Sequence, residues 1–251
     1  MNPTKLFSIS RFFTLLKLEL YRSRKAVLIT FVITFGLLFT GLILETILGY
    51  KNVFESHPSS YAFALMMGGF ILSSLTFNDL SNTLRRQNYL ILPASTLEKY
   101  LSMWLLTCIC WIIIFTLTYI VYALIANAIG HHLFRNMTYL AFVPFSRVPV
   151  GAIKFYIVLQ GIFMIAAVHF RGFVFPKTIL TLLLFGMVCG IIFYCIMTGL
   201  FHSDSEILAE YKPPKGTAVY QLWQAIIWLF WWVLAPLSWV ITYIGLKEEE
   251  V

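Results

Sequence analysis

Six long apolar runs divide the chain, at 26–48, 60–77, 101–126, 151–170, 178–201 and 222–246. Each is near the ~20 residues that an α-helix needs to cross ~30 Å of hydrocarbon, so each predicts a transmembrane helix. The second run is the shortest, and the fourth carries Lys154 one turn in, from where a long side chain reaches the interface. Ahead of the first run, 6–22 has helical periodicity: Ile9, Phe12, Phe13, Leu16 and Leu20 share one face, and Ser10, Thr14, Lys17 and Tyr21 the other. With Arg22, Arg24 and Lys25 behind it, 6–25 predicts an amphipathic elbow helix in the membrane interface and a basic anchor.

The polar stretch 78–99 joins the second and third runs. It suits a helix until Pro93, which ends one near Leu92. Ser95 and Glu98 then form a capping-box signature, so a new helix should start at Thr96 and run into the membrane. Leu90, Ile91 and Leu92 place apolar side chains beside that break, either as a docking knob for a partner or as packing against neighbouring helix ends. The longest other segments, 127–150 and 202–221, each hold two prolines and are too short for a folded domain. The expected fold is an all-α integral membrane protein: a single transmembrane domain over 1–251 with about six membrane helices and an elbow helix before them.

Composition agrees with this pattern. Hydrophobic residues make up 60% and charged residues 12%, against roughly 25% charged in soluble domains. The net charge of +7 sits beside the apolar runs, which points to a bilayer and away from nucleic acid. With the N-terminus inside, Lys5, Arg11, Lys17, Arg22, Arg24, Lys25, Arg85, Arg86, Lys99, Arg171, Lys177 and Lys247 fall on the cytoplasmic side. Lys51, Arg135, Arg147, Lys154, Lys212 and Lys215 fall outside, so the positive-inside rule puts both termini in the cytoplasm. The first run exceeds the ~7–15 residues of a signal-peptide core and lacks a small-x-small cleavage pattern, so it reads as an uncleaved helix. Cys108, Cys110, Cys189 and Cys195 lie in apolar runs and behave as small hydrophobes, not as a disulfide framework or a zinc site.

Two stretches carry a resemblance. One is Leu15-Leu16-Lys17-Leu18-Glu19-Leu20 before Arg22-Ser23-Arg24-Lys25; the other is Tyr89-Leu90-Ile91-Leu92-Pro93-Ala94-Ser95-Thr96-Leu97-Glu98-Lys99-Tyr100. With the helix order, they resemble the permease, or membrane subunit, of ABC-2 type transporters. The resemblance implies that 78–99 contains a coupling helix seated on a separate cytoplasmic ABC ATPase. Leu90, Ile91, Leu92, Pro93 and Ser95 would shape that element, with Glu98 and Lys99 anchoring it. It further implies a homodimer or a pairing with a second permease, and export across a cell membrane, expected to be a bacterial inner membrane. The outer segment 127–150 is long for the family, and no re-entrant pair stands out before the sixth run.

Candidate chemistry is sparse. Glu45 sits near the outer end of the first run and His169 near the inner end of the fourth. Proton- or ion-coupled carriers place ionisable groups near the midplane, so this pattern argues against secondary transport. A P-loop is absent, so ATP hydrolysis is expected on a partner chain, and neither an enzyme activity nor a cofactor is expected here. An intramembrane enzyme would have only Glu45, His169, His202 and Asp204 to use; a non-transporting scaffold or accessory protein also fits the plain core. His202-Ser203-Asp204-Ser205-Glu206 and His131-His132 read as outer loops, not metal sites. The sixth run holds Trp223, Trp228, Trp231, Trp232 and Trp239. On one continuous helix Trp228, Trp232 and Trp239 would share a face, as packing or lipid contact or as the lining of a cargo path. Pro236 predicts a kink there. Ser73, Ser74, Thr76, Gly68-Gly69 and Gly186-x-x-x-Gly190 predict close helix contacts.

Overall fold

The computed structural model describes residues 7–47, 57–81, 86–87, 89, 94–133, 142–201 and 218–249. They form helices and no strand. α1 spans Ile9–Ile47 and α2 His57–Leu75. α3 (Thr96–Trp104) passes through a π-helical segment, Leu105–Cys110, into α4 (Trp111–Leu133). α5 spans Arg147–His169, α6 Val174–Phe201, α7 Ala218–Trp232 and α8 Leu234–Glu248. Among the described residues four stretches are long and apolar enough to cross a membrane: His57–Leu75, Thr96–Ala128, Arg147–His169 and Val174–Ile192. The number rises to six if two bent pairs, in α1 and in α7 with α8, each count as one span. This is the build of a multi-span membrane protein.

The first helix bends where the predicted elbow segment 6–25 gives way to the first apolar run. Ile9–Lys25 and Val27–Gly41 are two limbs of one helix that meet at 47°. No Gly or Pro occurs from Leu6 to Phe35, so no residue there breaks the helix. Of the predicted apolar face only Phe12 is buried; Ile9, Phe13 and Leu20 face outward. The stripe turned inward is Phe12, Leu15 and Glu19.

The sixth run departs from a single helix. It divides at Val233 into α7 and α8, bent by 45°. Pro236 has no N–H for the carbonyl of Trp232, and it sits comfortably in the first turn of the new helix. The kink predicted at Pro236 therefore falls three residues before it.

Small residues position the packed part. A Cβ on Gly69 would stand 2.3 Å from the Tyr156 ring, and one on Gly68 would stand 2.6 Å from Trp111. A Cβ on Gly161 would stand 1.9 Å from Ser238 Oγ. These glycines let α2 close on α4 and α5, and α5 close on α8. Two buried clusters result. One gathers Tyr61, Leu65, Trp111, Phe115, Tyr119 and Tyr156; the other gathers Phe77, Tyr89, Met103, Met164, Val168 and Leu246. Phe31 and Phe35 of α1 lie against the first, with ring centroids 5.2 Å from Trp111 and 5.8 Å from Phe115. Gly186 and Gly190 differ: a Cβ there would meet nothing within 4 Å, so they make no close contact with the described residues.

Candidate functional site

The start of α3 gathers the polar contacts. Ser95 caps the helix: its Oγ accepts from the Glu98 N–H at 3.2 Å, and Glu98 Oε2 accepts from the Ser95 N–H at 2.9 Å. The reciprocal box anticipated from Ser95 and Glu98 is thus formed. Its carboxylate does more than cap. Glu98 Oε1 accepts from the Ser8 N–H at 2.7 Å and lies 3.2 Å from the Arg11 guanidinium. Glu98 has 0% exposure, and burying a charge at such a site is costly unless hydrogen bonds and an opposite charge offset it. Here two backbone donors and one guanidinium do so. The carboxylate therefore ties the start of α1 to the exit of the 78–99 loop, across 90 positions of sequence. Lys99 is buried beside it, with Nζ 5.4 Å from the Tyr89 ring centroid. Leu90, Ile91, Leu92 and Pro93 lie outside the described residues.

A second cluster belongs to the same end of the molecule. Glu249, following α8, pairs with Arg86 at 2.5 Å and with Arg171 of the α5–α6 turn. That turn is tight. Gly172 and Phe173 both have left-handed backbones, with φ of 60° and 48°. A non-glycine residue pays for that conformation in strain, and Phe173 is also 85% exposed. Lys177 Nζ donates to the Arg171 carbonyl at 2.7 Å. The 78–99 loop, the α5–α6 turn and the segment after α8 are thereby joined by charge.

Next to this end a cleft of about 340 Å³ opens between α1, the end of α2 and the α3–α4 rod. The π-helical segment contributes Leu106, Thr107 and Cys110 to its wall. Its backbone explains how the widened turn is held. The Trp111 N–H bonds the carbonyls of Leu106 and Cys108, not that of Thr107 as an α-helix would require. The Tyr156 hydroxyl donates to the Thr107 carbonyl instead, at 2.6 Å, and Gln160 Nε2 donates to Thr107 Oγ1 at 2.9 Å. Tyr156 and Gln160 are fully buried, and Gly69 leaves the room that the Tyr156 ring fills.

The tryptophans are distributed differently from the one-face expectation. Trp228 and Trp232 lie on α7 and face outward, whereas Trp239 lies on α8, its ring edge-on to Trp104 at 5.3 Å between centroids. The break at Val233 ends the common register that would align them. His169 closes α5, exposed, with Nδ1 2.9 Å from the Ile165 carbonyl oxygen. The Glu45 side chain, His131, His132, His202 and Asp204 lie outside the described residues. Among the described residues no three His, Cys, Asp or Glu side chains gather where a metal ion could be held.

Sequence reasoning missed three features: the Ser8 and Arg11 contacts to Glu98, the π-helical segment, and the cleft. The first had a weak signal in a basic residue near the start of an amphipathic helix. The other two have no signature in residue type. No protein-family model, curated protein or solved structure matches the chain.

Proposed function

We propose that the chain is the permease subunit of an ATP-driven ABC-2 type transporter, working as an exporter and energised by a separate cytoplasmic ATPase. The observation that carries this reading is the anchored start of α3. A coupling element needs a rigid joint between a loop that a partner pushes and a helix that moves in the membrane. Ser95 and Glu98 supply such a joint: they stiffen the first turn of a rod that continues to Leu133, and Glu98 fastens it to α1. Arg86 and Arg171 on Glu249 add the α5–α6 turn and the segment after α8 to the same end. In this reading that end is cytoplasmic, as the distribution of Lys and Arg favours. Leu90–Pro93 face the ATPase, and Glu98 and Lys99 hold the loop's exit.

The chain works as a dimer or with a sister permease in the cell membrane, of bacterial inner-membrane type. ATP binding displaces the loop, and the α3–α4 rod carries the displacement past the cleft and the bend of α1. Trp228 and Trp232 are then outward contacts of α7, not a lining shared with Trp239. The test is a mild-detergent pull-down of the tagged protein from its native cells, read by mass spectrometry. A stoichiometric ABC-type ATPase is the expected result. A clean preparation without one would remove the energy source and leave a membrane scaffold as the better account.

A further inference from the structure

The cleft between α1, the end of α2 and the α3–α4 rod has a chemical gradient along its length. On α1 its lining runs from Glu19, Arg22 and Lys25 to Val27 and Phe31. From Asn78, just after α2, it runs back to Leu72 on that helix, and on the rod from Met103 up to Trp111 and Ile114. On α1 and at the end of α2 the polar residues lie at one end of the lining, and apolar residues from all three walls lie at the other. Arg22 is partly exposed, and Glu19 is buried with its carboxylate 4.0 Å from the Arg22 guanidinium. Among the described lining residues Glu19 is the acid and Arg22 and Lys25 are the bases, which gives the polar end a formal net charge of about +1.

We propose that this cleft holds one phospholipid of net negative charge. Its phosphate lies between Arg22 and Lys25, and part of an acyl chain lies along Phe31, Leu72 and Trp111. The cleft volume of about 340 Å³ falls in the ~300–1,000 Å³ range of small-molecule sites and admits a headgroup with a portion of one chain. The apolar end selects a lipid over a free anion, because a phosphate alone would leave those walls against water. The excess of basic over acidic lining residues selects an anionic headgroup over phosphatidylcholine, whose own ammonium cancels the charge that the two bases attract. The π-helical turn shapes the site: it presents Leu106 and Cys110 to the cleft, while the Thr107 hydroxyl and carbonyl are turned to Gln160 and Tyr156. The site needs no ATPase and stands apart from the transporter reading.

The test uses the full purified chain in phosphatidylcholine nanodiscs with a photoactivatable phosphatidylglycerol bearing a diazirine on its acyl chain. Crosslinks are mapped by mass spectrometry. Labelling should concentrate on the peptides that contain Phe31 and Trp111. Arg22→Gln and Lys25→Gln should each lower it roughly fivefold, and Lys154→Gln, outside the cleft, should leave it unchanged. Cys110→Phe, which fills the wall and keeps both bases, should abolish it. On the unaltered chain, unlabelled phosphatidylglycerol should compete, and phosphatidylcholine and inorganic phosphate should not. Equal labelling by a phosphatidylcholine probe, or labelling that survives both a filled wall and added phosphatidylglycerol, would reduce the site to ordinary lipid contact. Competition by inorganic phosphate would make it a simple anion site and overturn the proposal.

Discussion

α2 and α5 on one side, and α6 on the other, are apolar helices of similar kind with opposite surroundings. In the membrane-length windows of α2 and α5, 44% and 50% of the residues are buried, against 6% in that of α6. Hydropathy does not predict this order, because α2 is the least apolar of the four spanning stretches. In a bilayer, burial against protein gains little over burial against lipid, so packing follows close fit and buried polar contacts. α2 has Gly68 and Gly69 against two aromatic rings, and Ser73 and Ser74 whose hydroxyls return to its own backbone at 2.8 Å. α5 has Tyr156 and Gln160 bonded across to the π-helical turn. α6 has Gly186 and Gly190 as well, but among the described residues nothing is seated on them.

The comparison breaks most readily at Gly69. Gly69→Leu drives a side chain into the Tyr156 ring, and overpacking of this kind costs roughly 1–3 kcal/mol or more. The expected outcome is loss of the monodisperse species in size-exclusion chromatography and a clearly lower melting temperature. Gly186→Leu on α6 should leave the melting temperature unchanged. A fall there comparable to that of Gly69→Leu would mean that α6 is packed after all.

Glu98→Ala comes next. It removes the acceptor of two backbone N–H groups and the partner of Arg11. Arg11 is partly exposed and can turn to water, so the cost is set by the lost hydrogen bonds, about 2 kcal/mol. Protease access at the start of α1 should rise with it, because α1 and α3 are no longer tied. Glu98→Gln, which keeps an acceptor, should recover about half of the loss.

Tyr156→Phe keeps the ring against Gly69 and deletes the bond to the Thr107 carbonyl. A loss of about 1 kcal/mol is expected in thermal unfolding. Smallest are Trp228→Ala and Trp232→Ala, which should change stability by less than about 0.5 kcal/mol, since both rings face outward. If either abolished transport at unchanged stability, the outward face of α7 would become part of the cargo path.

What could be read from residue order was local. Apolar length marked where helices lie, and Ser95 with Glu98 marked where α3 begins, because a capping box is complete within four residues. The change from the amphipathic, basic 6–25 to the apolar 26–48 falls at the 47° bend between Ile9–Lys25 and Val27–Gly41, although the helix is continuous through it. The three tryptophans were aligned across a position where the helix breaks. The Glu98 tie to Ser8 and Arg11 was hidden because it joins distant segments. The π-helical turn is made by backbone bonds that Tyr156 and Gln160 stabilise from another helix, so no run of residues at 105–110 announces it.

The most direct measurement concerns the loop that Glu98 anchors. Leu92→Asp and Pro93→Ala are expressed beside the unaltered chain, and the amount in the membrane and the ATPase that co-purifies are both measured. The account predicts unchanged insertion and at least a fivefold loss of ATPase in Leu92→Asp, with a smaller loss in Pro93→Ala. Full association in both variants would contradict it, for the 78–99 loop would then not be where the chain receives its energy.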